Sequence, residues 1–530
     1  MDKLTKFVKE QSLQRTENTH RPEELVQWLL ELGSRGEQAA ADFGYANTAG
    51  SMVHDRNDEV ATAAITALGD MGQEGMKYMR QIASGLARSP QVCTAAATAL
   101  AQFGKQAAEY ESDLALCLER VTDEAAKAAV IVALGAIGAE GEAAALAKYL
   151  DDKSAAVSAA ACQALGHLPS KGLEEAPRIA KKLQDPSTRF GAVSALGKLG
   201  GGSVEKYIPE IAECLKDKDS LTRQAAANTL AAAADAVLKS TSGASFIAGL
   251  LKDAAPGVRC AAALSLGKLG PRASSYAPDI AKLLADGAQD DSESYLAVGG
   301  GSLRSAAIFR RPKCAALAAL SLMNASNYAA DMAMCLRDKS YEVRLCALES
   351  LMQMGDAGKK QSTNIMAAME DDVYIVRLKS CQAIAALQAQ DVMDNLPDLF
   401  KDEAPSVREA SLEALATCPE IAKKYCSQIF KCLEDEYGTV RAAAMRALSS
   451  MDSIGQGYAS AIAGELTHQD PHARAAACET LGKFGDYGAA FAEEIESCQS
   501  DEVPVVRAAA TQALAQLGVA RVRGIENGAA

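Results

Sequence analysis

The sequence predicts an all-α protein, a right-handed α-solenoid of about fourteen two-helix repeats. Three observations predict it. A dipeptide anchor, a β-branched residue followed by Arg or a close variant, recurs about every 33 residues along the 530-residue chain. The apolar class makes up 49% of the residues while aromatics make up only 5%, so the interior is assembled from small side chains, which suits close-packed helices better than sheets. Each repeat also reads as a helix A, a turn carrying Asp, and a helix B. A single helix pair of this kind cannot bury its own apolar face, whereas stacked neighbours can. Length alone suggests three or four globular domains; the repeat predicts one continuous array instead.

The anchors begin at Val60, Val92, Ala126, Val157, Thr188, Thr222, Val258, Pro312, Val343, Val376, Val407, Val440, Ala473 and Val506. One spacing is anomalous, 54 residues between Val258 and Pro312, and marks an insertion over about 286–311. Helix A shows apolar residues at helical intervals, as at Ile280, Leu283 and Leu284. Proline recurs near its start at Pro177, Pro209, Pro278 and Pro397. Asp217, Asp253, Asp338, Asp402, Asp435 and Asp470 close the A–B turn, where each is expected to cap helix B. Pro186, Pro256, Pro405 and Pro471 stiffen the same turn. Helix B ends in Ala-Leu-Gly or a variant, and Gly69, Gly135, Gly166, Gly197, Gly267 and Gly482 are expected to take the left-handed C-cap conformation.

The array is assigned to residues 37–520, with an N-terminal helix and cap at 1–36 and a C-terminal tail at 521–530. The segment Pro22–Leu32, which contains the single tryptophan, Trp28, is apolar nearly all round and is expected to cover the open end of the array. The alternative is a helix that docks a partner.

The motif D-x(3–5)-V-R-x-A-A-x-x-A-L-G-x-L-G resembles HEAT repeats, in particular the short type related to phycobilisome lyases. Clear copies begin at Asp470-Pro471-His472-Ala473-Arg474 and at Ala255-Pro256-Gly257-Val258-Arg259. The resemblance implies a helical solenoid and, for most members, a role as scaffold, adaptor, transport or cytoskeletal component. Two relatives with this repeat are enzymes. Deoxyhypusine hydroxylase carries iron on His-Glu pairs, but none of His20, His54, His167, His468 and His472 is followed by Glu. The bilin lyases offer no short motif to match and stay open as an alternative.

The Arg ladder comprises Arg189, Arg223, Arg259, Arg344, Arg377, Arg408, Arg441, Arg474 and Arg507. It is either a stripe that binds an acidic partner or a structural series that pairs with turn acids. The net charge of −14 and the nearby acids favour pairing. Ala61, Cys93, Lys127 and Ser158 stand in its place at the early anchors, which makes the N-terminal third a variant stretch. The insertion opens acidic and closes basic; it is either a surface loop or a partner-binding loop, with Tyr295, Arg304, Arg310 and Arg311 as candidate contacts alongside Trp28.

The expected function is therefore a non-enzymatic interaction scaffold in a large intracellular assembly, with a cytoskeletal or axonemal setting considered. A pigment- or cofactor-handling protein and a cargo adaptor are the alternatives. Other proteins are the expected partners, and no cofactor is expected. The acidic balance argues against nucleic acid, and no apolar run is long enough to span a membrane. The first ten residues lack an apolar h-region. The 14 cysteines form no CxxC pair and are expected as buried thiols in a reducing, cytoplasmic compartment.

Overall fold

The computed structural model describes residues 22–34, 45–239, 243–289 and 310–518, and among them every regular element is helical. The chain packs as two compact units, Met1–Leu250 and Leu251–Ala530.

In the first unit the long helices are Asp58–Asp70, Pro90–Phe103, Glu124–Ile137, Ala155–Gly166, Pro186–Leu199 and Ser220–Ala232, each packed on the next. In the second they are Pro256–Lys268, Pro312–Leu322, Tyr341–Gln353, Tyr374–Ala386, Pro405–Ala416, Gly438–Ser449, Pro471–Lys483 and Pro504–Gln516, again in sequence. Every anchor lies at the third position of its helix, except Pro312, which lies at the first. Each unit has the pattern of an α-solenoid, in which its B helices form one layer. Their buried faces are mostly Ala, Leu, Val and Cys, as in Val258, Cys260, Ala262, Ala263 and Leu266. Small side chains there let neighbouring helices approach closely, so the core is thin and needs few aromatics.

In most repeats helix A is not one helix, although Glu111–Arg120 and Pro169–Lys181 are continuous. Elsewhere it is broken into short α-helical pieces and 3-10 turns, such as Ala329–Met334 followed by Cys335–Arg337. Pro209 and Pro278 open short helices, but Pro177 and Pro397 lie inside helical segments. Pro186, Pro256, Pro405 and Pro471 each occupy the first position of a B helix, where the missing N–H is one that no helical carbonyl would accept.

Two expectations about helix ends are corrected. Gly69, Gly135, Gly166, Gly197, Gly267 and Gly482 do not take the left-handed conformation. They lie in the B helices where the next helix crosses. A Cβ on Gly135 would sit 2.4 Å from Ala164 Cα, so these glycines exist for close approach. The helix is stopped three residues later by the second glycine of the motif: Gly138 has φ +83° and Gly485 φ +57°. The turn aspartates also act differently from expectation. Asp402 and Asp435 stand two residues before the N-cap and accept the N–H of Ala404 and Tyr437, which closes the turn rather than the helix. Asp470 does cap its helix, accepting from His472 N–H at 2.8 Å.

The helix Pro22–Ser34 packs against Asp58–Asp70 through Leu29 and Leu32, both buried. Trp28 is buried too, at 6% exposure, while Leu30 on the other face is 56% exposed.

Gly135→Ala should destabilise the protein by about 3 kcal/mol, because the added methyl meets backbone that cannot yield. Gly138→Ala should cost only about 1–2 kcal/mol, the strain of a left-handed alanine. Urea denaturation midpoints of the two variants give the comparison, and equal costs would contradict this assignment of roles.

Candidate protein-interaction site

Each ladder arginine is the fourth residue of its B helix, which aims its guanidinium back over the A–B turn. There it makes two kinds of bond. Nη1 donates to the carbonyl oxygen six residues earlier, at 2.6–3.1 Å, for Arg223, Arg259, Arg344, Arg377, Arg408, Arg441, Arg474 and Arg507. That carbonyl belongs to the repeat's own turn. The remaining donors of most of them reach the acid in the turn of the following repeat. Arg377 binds Asp402 through Nε at 2.7 Å and Nη2 at 2.8 Å. Arg408 binds Asp435 and Arg474 binds Asp501 in the same two-pronged way. Arg344 holds Asp371, Arg259 holds Asp286 at 2.7 Å, and Arg189 holds Asp217.

The turn aspartate is therefore held from three sides. Its carbonyl takes its own arginine, its carboxylate takes the previous one, and Oδ1 accepts the N–H two residues on. Both members of the pair are buried: Arg377 and Asp402 side chains are 9% and 6% exposed. Burial pushes the Asp402 carboxyl up, but Arg377 and the Ala404 N–H outweigh it and hold the group below the usual carboxylate range. At Asp501 the hydrogen bond from Arg474 is the largest influence, and the direction is the same.

Departures from the motif are repaired locally. Lys313 stands for arginine and reaches Asp338 at 2.5 Å. Where His468 replaces the turn aspartate, its Nδ1 accepts the Asp470 N–H at 3.0 Å, and Glu465 supplies the carboxylate for Arg441. In the first unit Ser158, at the ladder position, donates to the Leu150 carbonyl at 2.6 Å. Arg88 reaches back to Asp58 and to the Val53 and Asp55 carbonyls.

The residue after the turn aspartate faces outward. Asp372, Glu403 and Glu436 side chains are 87%, 84% and 76% exposed, each leaning on a ladder arginine. Tyr374 and Tyr437 are half-exposed on the same edge, and Arg408 lies 5.5 Å from the Tyr437 ring. The second unit thus presents an acidic, tyrosine-bearing row along consecutive turns. Of the acidic pair Asp371-Asp372, the first binds Arg344 in the interior and the second meets solvent. Acidic dipeptides recurring at the turns are the sequence signal for this row.

Of the candidate partner contacts, Tyr295 and Arg304 lie outside the described residues, as do positions 290–309 of the insertion. Arg310 and Arg311 are partly exposed at the start of Pro312–Leu322, and Arg311 is tied to Glu342 at 2.5 Å. Trp28 is buried in the helix Pro22–Ser34. Among the described residues, no cluster of three or more His, Cys, Asp or Glu side chains could hold a metal ion, and no helix is long and apolar enough to cross a membrane.

A family model described as HEAT repeats matches residues 143–231, 208–298, 362–449 and 427–515, more than half of the chain. The chain belongs to the HEAT-repeat family. No curated protein matches it by sequence. Among solved structures, this HEAT protein is similar to a Kap121p mutant at TM-score 0.59 and 13% identity, covering 93% of this chain but only 64% of that one. It is similar to importin beta at TM-score 0.59 and 14% identity, covering 89% and 72%. A structure of Kap121p bound to Ste12p gives TM-score 0.54 at 12% identity, covering 99% and 71%. At identities this low the likeness shows the fold alone.

Asp402→Ala takes from the buried Arg377 its interior carboxylate, leaving it only the exposed Glu403, and should cost about 3 kcal/mol, whereas Asp372→Ala should stay within about 0.5 kcal/mol. Urea titration of the two variants makes the test, and similar losses would contradict the ladder's role. Acid should also act through these pairs. A carboxyl whose folded-state value is depressed contributes its stability above the unfolded value, near 3.9, and loses it as pH falls further. Acid unfolding should therefore begin below about pH 4 and be shallower in Asp402→Asn, as followed by circular dichroism.

Proposed function

We propose that this HEAT-repeat protein is a non-enzymatic adaptor that holds a protein partner, in the manner of a cargo carrier, along the exposed turn edge of its second unit. The observation that carries this reading is the row of Asp372, Glu403 and Glu436 with Tyr374 and Tyr437, fixed in register by buried arginine pairs. Such a row suits an extended segment rich in Lys or Arg, with the tyrosine faces available for cation–π contact. The neighbouring folds support a cargo adaptor over a cytoskeletal scaffold, since Kap121p structures hold Ste12p, Pho4p and Nup53p. Fourteen cysteines, all free and buried, suit an intracellular, reducing setting.

The test uses a fluorescent Lys-rich peptide and a Glu-rich control, with binding followed by anisotropy. The full chain should bind the first and not the second, more weakly as salt is raised. Asp372→Lys/Glu403→Lys/Glu436→Lys should fold normally and bind at least about tenfold more weakly. Unchanged affinity in the triple variant would sink the reading. Crosslinking in native extract would then name the partner.

A further inference from the structure

In the helix Pro90–Phe103 the fourth residue is Cys93, where later repeats place the ladder arginine. Across from it, in Glu111–Arg120, stands Cys117, and the two sulfurs are 3.4 Å apart. A guanidinium would fill the space beneath this turn. A thiol is smaller, and a cleft of about 730 Å³ lies beside the buried pair, lined by Cys93 and Cys117 together with Arg88, Arg120, Asp113 and Tyr110.

The two thiols are unequal. The hydrogen bond from Cys93 lowers Cys117 to about 7, against the opposing effect of burial, and Arg120 adds to the lowering. Cys93 is itself pushed up, first by the same hydrogen bond and then by burial, and stays a thiol. Cys214, Cys335 and Cys432 occupy the register of Cys117 in other repeats, opposite Arg189, Lys313 and Arg408. Burial pushes each of those to about 11. Cys498, in the same register opposite Arg474, is lowered by a hydrogen bond from Cys478, as Cys117 is by Cys93. Cys117 thus combines thiolate character, a cleft and a second thiol within reach, the features of an oxidisable pair.

We propose that Cys93 and Cys117 form a modification site for a hydroperoxide, which enters the cleft and converts the pair to a disulfide joining consecutive repeats. The Cys117 thiolate attacks the terminal peroxide oxygen, and the O–O bond breaks. Cys117 becomes a sulfenic acid, and the departing alkoxide or hydroxide takes up a proton to leave as alcohol or water. The Cys93 sulfur then attacks the Cys117 sulfur. The S–O bond breaks, and the hydroxyl leaves as water with the Cys93 proton. In total two thiols are oxidised, one peroxide is reduced, and a thiol reductant reverses the bridge. The bond would fasten Pro90–Phe103 to Glu111–Arg120, whereas later repeats tie the B helix by an ion pair to the turn that follows the next helix A.

The experiment treats the full-length folded chain with hydrogen peroxide near stoichiometry, alkylates it, and maps its peptides by mass spectrometry. A Cys93–Cys117 linked pair should form at least about tenfold faster than any oxidation of Cys214, Cys335 or Cys432. Cys93→Ser should stop at a dimedone-reactive sulfenic acid on Cys117, and Cys117→Ser should leave Cys93 reduced. The proposal is overturned if both thiols stay alkylatable, or if wild-type Cys117 accumulates as sulfenic acid while Cys93 remains free. Should a variant fail to fold, the wild-type map decides by itself.

Discussion

Where a repeat carries the ladder arginine, one guanidinium typically joins two turns at once. Its Nη1 neutralises the carbonyl end of its own turn, and its other nitrogens take the carboxylate of the next. The planar fork of arginine suits this task, because its donors are fixed in directions that match a carboxylate on one side and a carbonyl on the other. Two neighbouring helices are thereby set in axial register by directional bonds. The alanine contacts between them supply attraction but little direction. Everything on the turn edge inherits its spacing from this device.

The same device explains why the turn can carry function. The first acid after helix A is consumed inside the array, where burial would be costly without its arginine. The second acid is left outside, largely exposed and in contact with the same arginine only from the solvent side. The repeat therefore separates a residue that builds the edge from a residue that the edge displays. Repairs at Lys313 and at His468 with Glu465 show that the charge pattern is what the fold requires, not one particular residue. Where the arginine is absent in the first unit, the vacated space is either bridged by another donor, as at Ser158, or left open, as beside Cys93.

The glycines of the motif show the limit of reading caps from sequence. Two glycines three residues apart look equivalent as helix stops. Only the crossing of the next helix assigns Gly135 to close approach and Gly138 to the left-handed stop. The turn aspartates carry the same lesson. A residue near a helix start reads as a cap, yet Asp402 faces Arg377 from the preceding repeat, 25 positions away.

The sequence by itself determined the all-helical class, the repeat length, the position of each B helix and the arginine series. These follow from periodicity and local preference, which act within one turn of helix or one repeat. It also marked the early anchors as different and left the partner open. Only the tertiary structure decided that the arginines bind the following repeat and that the paired acids divide into one inside and one outside. It likewise showed that Trp28 is buried and that Cys93 meets Cys117. Each of these depends on which side chains are brought face to face between repeats some 30 residues apart. Sequence spacing sets the candidates for such contacts, while packing selects which of them form.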